Sequence, residues 1–271
     1  MSDARLAATP AVQGNAPVID TVRESYDTTG MHRPIALVAA MQEELDALLA
    51  AFPGHDRRLH FNTPLYRARR GSQDVVIAQS GVGKVNAACT LALLLSDFDP
   101  GCVINTGCAG GLLPGQRILD LVVPEEVVYT DVDITPFGLQ YGQMMGCEPR
   151  FRASPKLLAR FRTLLATLNA PPTCHHGLLG SSDSFIYRPD QLDTIRRHFG
   201  GSVACVDQEG GAIAHVCARF GVPFLILRAL SDAPGAGDNA LDFRTFVRRA
   251  AASSATLCAA LIDYLAREDS L

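Results

Sequence analysis

Three features are missing from this sequence of 271 residues: a long apolar run, an excess of basic residues and a CxxC cysteine pair. Without 18 consecutive apolar residues we expect no membrane-spanning helix, and the opening segment does not resemble a secretory leader. A formal net charge of −4 offers no basic surface for nucleic acid. The missing cysteine pair argues against a zinc ribbon or a thioredoxin-like centre. We therefore expect neither a membrane nor a nucleic acid as a partner.

The eight cysteines are typical of an intracellular protein and not of a disulfide framework. Most of them lie inside apolar runs, where a free cysteine behaves as a small hydrophobe. We expect a reducing compartment, the cytoplasm. The adjacent His175 and His176 are predicted on a strand, where neighbouring side chains point to opposite faces and seldom bind one ion. The sequence thus predicts no metal site and no cofactor.

Composition and patterning predict one α/β domain. Hydrophobic residues make up 48% of the chain, enough for a sizeable core. Residues 1–33 lack a periodic apolar face and are predicted to be a flexible extension, so that the domain covers residues 34–271. Uniformly apolar strands alternate with helices, which favours a three-layer sandwich around a central mixed, largely parallel sheet. The predicted strands lie at 35–40, 74–78, 102–105, 121–129, 203–206 and 223–228; the predicted helices lie at 43–51, 85–95, 208–220 and 241–266.

Two glycine-rich segments follow predicted strands. The segment Gly81 to Lys84 resembles a phosphate-binding loop, but Ala78 and Val85 stand where that motif needs a glycine and a hydroxyl residue. A tight turn between a strand and a helix explains its glycines. The second segment, residues 106–111, either lets backbone N–H groups approach a ligand at the edge of the sheet or forms an ordinary turn.

Acidic residues follow three of the predicted buried strands. Glu44 follows the first strand, Glu209 follows the strand at 203–206, and Asp232 follows the strand at 223–228. Taken singly, Glu44 and Glu209 are explained by the dipole of the helix that each precedes or begins. Together, carboxylates at the carboxyl ends of strands would meet in one crevice. Because repelling carboxylates cost stability, such a cluster indicates a functional site.

Seven blocks in order resemble the nucleoside phosphorylase/nucleosidase superfamily, and specifically the methylthioadenosine/S-adenosylhomocysteine nucleosidases. The resemblance covers roughly residues 34–267 and is far more specific than any one block. The blocks are AAMQEE at 39–44, SGVGKV at 80–85, NTGCAGG at 105–111, residues 131–143 ending in FGLQYGQ, DSFI at 183–186, residues 206–216 ending in AIAHV, and RALSD at 228–232.

The resemblance implies roles for individual residues. Glu44 matches the carboxylate that activates the attacking water, Asp232 the acid that protonates adenine N7, and Glu209 the carboxylate that binds the ribose diol. Ile134 and Phe137 would enter the pocket of a neighbouring subunit, because the family is dimeric. The other implied contacts to base, ribose or 5′ substituent are Met41, Cys108, Ala109, Gly110, Phe185, Ile186, Gln208, Ser231 and Phe243, with the Phe185 ring stacking on the base.

The implied reaction is hydrolysis of the N-glycosidic bond of a 5′-modified adenosine, with release of adenine. The transition state resembles a ribosyl oxocarbenium ion, and adenine leaves poorly as an anion, so an acid and a water-activating carboxylate are both needed. Phosphorylases of this superfamily bind phosphate with arginines where this chain has Gln42 to Glu44 and Asn105-Thr106. A phosphorylase stays open as an alternative, and so does a nucleoside-binding module without turnover.

The chain departs from the family pattern at several positions. Asp207 and Gln208 replace a glutamate and a methionine, Cys108 replaces serine, and Leu139 replaces tyrosine. An amide without a partner is costly in an apolar site, so Gln208 either bonds to a more polar substrate or points away. The preferred substrate is therefore left open among methylthioadenosine, S-adenosylhomocysteine, 5′-deoxyadenosine and a futalosine-type nucleoside.

Overall fold

The computed structural model describes residues 33–60, 63–233 and 239–267. Residues 1–32 of the predicted extension lie outside the described residues. Within the described chain the strands are β1 Ile35–Ala39, β2 Asp56–His60, β3 Thr63–Arg70, β4 Gln73–Gln79, β5 Cys102–Gly111, β6 Leu121–Val122, β7 Glu126–Tyr129, β8 Phe151–Arg152, β9 Cys174–His175, β10 Leu178–Ser181, β11 Val203–Asp207 and β12 Phe224–Asp232. The helices are α1 Gln42–Ala51, α2 Lys84–Phe98, α3 Pro155–Thr167, α4 Pro189–Phe199, α5 Gly210–Phe220 and α6 Asn239–Arg267, with a short 3-10 helix at Thr135–Phe137.

The strands form one mixed sheet, as the sequence predicts. Its order is β2-β3-β4-β1-β5-β11-β10-β7-β8, and β12 pairs with both β5 and β6. The central strands β4, β1, β5 and β12 are parallel, whereas β11 joins β5 in antiparallel direction. Parallel neighbours place their carboxyl ends at the same edge of the sheet, and this edge carries the site described below.

The core of the molecule lies on the two faces of this sheet. All five residues of β1 are 0% exposed, as expected for a strand that is covered on both sides. Helix α6 packs on α1 and α3, and α2 packs on α5, so that helical layers flank the sheet. The predicted three-layer α/β sandwich is thus confirmed. Among the described helices, none combines the length and the apolar character needed to cross a bilayer.

Two strands are longer than their sequence patterns predict. The segment 106–111 was predicted as a loop after the third strand, but β5 continues to Gly111. It does so because β12 pairs with residues 103–110 on one side, while Val206 and Cys205 of β11 pair with Gly110 and Gly111. For the same reason β12 extends to Asp232, which was predicted in the loop beyond its strand. Glycines usually weaken a strand, and here pairing on both edges outweighs that preference.

The turn between β4 and α2 has the form predicted for Gly81 to Lys84. Gly81 and Gly83 adopt φ values of +82° and +97°, a left-handed region that glycine occupies without steric cost. Helix α2 then begins at Lys84. The prediction of a strand-to-helix turn is confirmed.

Candidate active site

Four residues lie close together at the carboxyl edge of the central strands. Glu44 lies in the first turn of α1, directly after β1. Cys108 lies within β5, Glu209 is the residue before α5, and Asp232 ends β12. The three acidic side chains are all buried. Burial of several carboxylates near one another is costly, so their position is a feature that calls for a chemical explanation.

The Glu44 carboxylate is held by three backbone N–H groups. Its Oε2 atom accepts hydrogen bonds from Ala40 N at 2.9 Å and Met41 N at 3.0 Å. Its Oε1 atom accepts one from Cys108 N at 2.8 Å. Gly107 makes this approach feasible, because a Cβ atom there would lie 2.6 Å from Glu44 Oε1. The α1 N-terminus and the β5 strand together fix the carboxylate in one place.

A β-bulge in β12 sets the position of Asp232. The register with β5 shifts between Leu230, which pairs with Ala109, and Asp232, which pairs with Gly110. The extra residue is Ser231, whose Oγ donates a hydrogen bond to Asp232 Oδ1 at 2.8 Å. Bulges change the direction of a side chain relative to the regular strand, and they are common beside active sites. Asp232 is only 2% exposed.

Glu209 is protonated more readily than an ordinary glutamate. Burial, followed by the charges of Asp207 and Glu44, raises the pKa of Glu209 to about 8, although the Gly83 N–H group and Arg228 act in the opposite direction. Gly83 N donates to Glu209 Oε1 at 2.9 Å. Near neutral pH the unliganded protein therefore keeps a proton on this carboxyl group.

Cys108 lies near both Glu44 and Asp232. Burial raises the pKa of its thiol well above the usual range, and the charges of Glu44 and Asp232 raise it further, while Arg228 lowers it. The Sγ atom faces the carbonyl oxygen of Val247 at 3.5 Å. These shifts also show that Glu44 and Asp232 both act on the same residue of β5.

Arg228 is the buried cation behind the cluster, and the sequence reasoning did not include it in the site. Its Nη2 atom lies 2.7 Å from Asp207 Oδ2, and it also donates to Asn105 Oδ1. Asp207 in turn accepts from Gly210 N at 2.9 Å. The available signal was a charged residue inside an otherwise apolar strand, which is tolerated only when the charge is paired.

The predicted pocket residues include aromatic and apolar side chains. The Phe185 and Phe243 rings lie 6.0 Å apart in an edge-to-face arrangement, so that two sequence-distant residues of the predicted pocket do meet. Phe185 is 38% exposed, whereas Ile186 is buried. Met41 is half-buried at the start of α1. Ala109 and Gly110 are buried in β5, and Ala109 O accepts a hydrogen bond from Ser231 Oγ.

Ile134 and Phe137 lie elsewhere, on the segment between β7 and β8. Ile134 precedes the 3-10 helix and is half-buried, and Phe137 ends that helix. Asp133 Oδ1 caps the segment by accepting hydrogen bonds from Thr135 N and Thr135 Oγ1. The Phe137 side chain is 74% exposed, an unusual state for an aromatic ring.

Known proteins resemble this chain in both sequence and fold. The family model described as Phosphorylase superfamily matches residues 34–263. The 5′-methylthioadenosine/S-adenosylhomocysteine nucleosidase of Geobacillus kaustophilus (strain HTA426) is 39% identical over 230 residues, which are 85% of this chain and 97% of that protein. The chain belongs to the methylthioadenosine/S-adenosylhomocysteine nucleosidase family.

Solved structures of this nucleosidase family have the same architecture. The enzyme from Neisseria meningitidis in complex with methylthio-immucillin-A has a TM-score of 0.81 and 32% identity, covering 85% of this chain and 99% of that one. The enzyme from Colwellia psychrerythraea 34H in complex with adenine has a TM-score of 0.82 and 31% identity, covering 87% of this chain and 96% of that one.

Gln208, the main departure from the nucleosidase family pattern, bonds within the protein. Its Nε2 atom donates to the backbone oxygen of Asp183 at 3.2 Å. Asp183 Oδ1 accepts from Lys84 N at 2.8 Å, and Lys84 Nζ forms a bidentate pair with Asp131. This network joins the loop before Phe185 to the turn that binds Glu209. Lys84 does not belong to a phosphate-binding loop motif, and sequence spacing does not reveal the ion pairs that this residue forms.

Proposed function

We propose that this protein hydrolyses the N-glycosidic bond of 5′-modified adenosines, such as 5′-methylthioadenosine and S-adenosylhomocysteine, and releases adenine. The observation that carries the proposal is the burial of Glu44, Glu209 and Asp232 at one sheet edge, in a chain of the nucleosidase family. By releasing adenine from methylthioadenosine the enzyme would take part in methionine salvage.

In the proposed mechanism, each carboxyl group has a separate task. Asp232 donates a proton to adenine N7, which makes the base a neutral leaving group. Glu44 orients a water molecule and accepts its proton as the water attacks the ribosyl oxocarbenium ion. Glu209 binds the ribose hydroxyls. The closeness of both Glu44 and Asp232 to Cys108 supports this division of roles, because one sugar could then contact both the acid and the base.

The contacts of each group support its proposed task. The three N–H groups on Glu44 prevent it from rotating toward another partner, which is what a water-orienting base requires. Asp232 is held by the Ser231 hydroxyl in a nearly dry position, where a proton donor is shielded from water. General acid–base steps of this kind are each worth about 10²–10⁴-fold in rate.

Water is favoured over phosphate as the nucleophile. Among the described residues, Arg228 is the cation that acts on the cluster. Its guanidinium is already paired with Asp207 and Asn105. Phosphate would also meet the acidic side chains of the site, which repel an anion. Adenine release that does not depend on added phosphate is the expected result.

The pocket would be lined by Phe185, Ile186, Phe243 and Met41 around the base and the 5′ substituent. The edge-to-face pair of Phe185 and Phe243 supports this assignment. Gln208 bonds to Asp183 O, so it needs no polar substrate to satisfy its N–H group. This contact favours the ordinary 5′-thio substrates over a futalosine-type nucleoside.

The enzyme is proposed to act as a homodimer in which Ile134 and Phe137 complete the neighbour's pocket. Support comes from exposed apolar side chains on the same molecule: Phe137 at 74%, Val85 at 73% and Met145 at 60%. A subunit interface would cover such groups. We expect a dimer in sedimentation analysis and a higher KM for Phe137→Ala. Leu59→Ala, which alters an equally apolar residue 63% exposed on β2, is the control; a fully active monomer would refute the arrangement.

The domain boundary and location are proposed on similar grounds. The superfamily match begins at residue 34, which supports a nucleosidase domain that starts there after an N-terminal extension. Arg33 is already tied to this domain, since its Nε atom donates to Asp99 O at 2.9 Å. All eight cysteines are free, which supports a cytoplasmic location.

Asp232→Asn tests the proposed chemistry. Asparagine keeps the size of the side chain but cannot protonate adenine, so turnover of methylthioadenosine should fall by about 10²-fold or more while substrate binding persists. Adenine release and equilibrium binding of the nucleoside measure the two effects separately. Ser231→Ala, which removes only the neighbouring hydroxyl, is the matched control and should lose less. Near-normal turnover by the Asp232→Asn protein would disprove the assignment.

A further inference from the structure

A thiol, an imidazole and a phenol form a chain of hydrogen bonds away from the acidic cluster. Cys147 Sγ lies 3.2 Å from His215 Nε2. His215 Nδ1 lies 3.1 Å from the Tyr129 hydroxyl. The Phe151 ring stacks on the imidazole at 4.9 Å and 22°. The imidazole is therefore held in one orientation, with one nitrogen facing the thiol and the other facing the phenol.

Both members of the pair are neutral, and the tautomer of the imidazole sets the direction of these hydrogen bonds. Burial raises the pKa of the Cys147 thiol, although the nearby Arg219 charge opposes this effect. Burial and the Arg219 charge both lower the pKa of His215. Both groups are thus neutral near pH 7, and in the tautomer that carries its proton on Nδ1 the imidazole accepts the Cys147 S–H at Nε2 and donates Nδ1–H to Tyr129. A nucleophile next to a base that a third group orients is the arrangement of activated nucleophiles.

Cys147 also differs from the other cysteines of the chain in its surroundings. Cys102, Cys205, Cys217 and Cys258 are buried, whereas Cys147 and Cys174 are both partly exposed. The Cys174 thiol faces a backbone oxygen, His175 O, at 3.9 Å. A carbonyl oxygen cannot take up the thiol proton. Cys174 is therefore the comparison cysteine: it is also partly exposed, and its thiol faces a carbonyl oxygen instead of an imidazole.

We propose that Cys147 is a peroxide-reactive thiol and that His215 is its base. The sulfur atom attacks one oxygen of a hydroperoxide, and the O–O bond breaks as the S–O bond forms. The thiol proton passes to His215 Nε2 and then to the departing hydroxide, which leaves as water. The sulfur loses two electrons to the peroxide and becomes a sulfenic acid, the first and reversible step of thiol oxidation.

The experiment compares two cysteines in the full-length protein. The protein is treated with hydrogen peroxide in the presence of a cyclic 1,3-diketone that traps sulfenic acids, and the rate of labelling at each cysteine is followed by peptide mass spectrometry. We expect Cys147 to be labelled at least about tenfold faster than Cys174, since a positioned base is worth 10²–10⁴-fold in favourable cases. Equal rates at the two cysteines would overturn the proposal.

His215→Phe tests the part played by the base. Phenylalanine keeps an aromatic ring against Phe151 but cannot accept a proton, so labelling at Cys147 should fall to the rate seen at Cys174. Unchanged adenine release would show that the variant is folded. An unchanged Cys147 rate in such a folded variant would show that exposure alone sets the reactivity, and the proposed base would be wrong. If the variant does not fold, the comparison of Cys147 with Cys174 in the unaltered protein still decides the question.

Discussion

Gly107→Ala should impair catalysis without removing any catalytic group. A Cβ atom at this position would lie 2.6 Å from Glu44 Oε1 and 3.0 Å from its Cδ atom, and real Cβ atoms do not approach closer than 3.0 Å. Oε1 must therefore shift by at least about 0.4 Å, which disturbs its 2.8 Å hydrogen bond with Cys108 N. Gly107 has no positive φ, so alanine adds no backbone strain. The effect acts through Glu44 alone.

The size of the effect follows from what Glu44 loses. Adding about 0.4 Å to the 2.8 Å contact between Glu44 Oε1 and Cys108 N gives at most about 3.2 Å, the long end of the hydrogen-bond range, so the bond is weakened and not lost. A displacement of about 1 Å in a positioned catalytic group costs up to 10²-fold in rate. Since the displacement here is smaller, we expect kcat for adenine release to fall by about tenfold to 10²-fold, with a smaller change in KM.

Steady-state kinetics with methylthioadenosine and urea denaturation measure the two consequences of Gly107→Ala. Gly201→Ala is the matched control, because a Cβ at Gly201 would meet nothing within 4 Å. It should leave both kcat and stability close to those of the unaltered protein. If Gly107→Ala kept a normal kcat, Glu44 would not need its observed position, and its role as the base would be refuted.

Two further predictions concern the buried charges. The unfolded state ionises Glu209 near its ordinary pKa of 4.5 and the folded state near 8, so the unliganded protein should lose about 1.4 kcal/mol of stability per pH unit as the pH rises between these values. Urea denaturation across this range should show a shallower slope for Glu209→Gln, and an identical slope would contradict the shifted pKa. Arg228→Met should destabilise the protein by about 3–5 kcal/mol, because it leaves Asp207 buried without its partner. Combining Arg228→Met with Asp207→Leu should restore much of the lost stability. If stability were not restored, loss of the ion pair would not be the cause of the destabilisation.

Much of the fold could be predicted because strands that are buried on both faces have uniformly apolar sequences. The run at 35–40 is apolar at every position, and β1 is indeed buried at every position. Other elements have no such apolar pattern. The edge strand β2 has the sequence DRRLH and is mostly exposed, so that only its pairing with β3 makes it a strand. Helix α4 is strongly polar on one side and begins at a proline. Its sequence contains no apolar run that would predict it.

The candidate site could be predicted in its residue types but not in its contacts. The sequence places Glu44 and Asp232 after the apolar runs of β1 and β12, which are both parallel to β5, and parallel strands bring such positions to one edge. Glu209 reaches the site from β11, which is antiparallel to β5, so this rule does not account for its position. It does not show the bulge at Ser231, because a bulge depends on how β12 pairs with β5. Nor does it show that Arg228 is neutralised by Asp207, 21 residues away along the chain.

The sequence by itself determined the buried strands, the class of fold and the family, because these depend on the local order of apolar, glycine and acidic residues. Only the tertiary structure decided the surroundings of each charged group. The raised pKa of Glu209, the Cys108 N–H group on Glu44 and the base beside Cys147 all depend on residues distant in sequence. Hydrogen bonds form only over about 3 Å and charge interactions weaken with distance, so both depend on positions in space that no local pattern specifies.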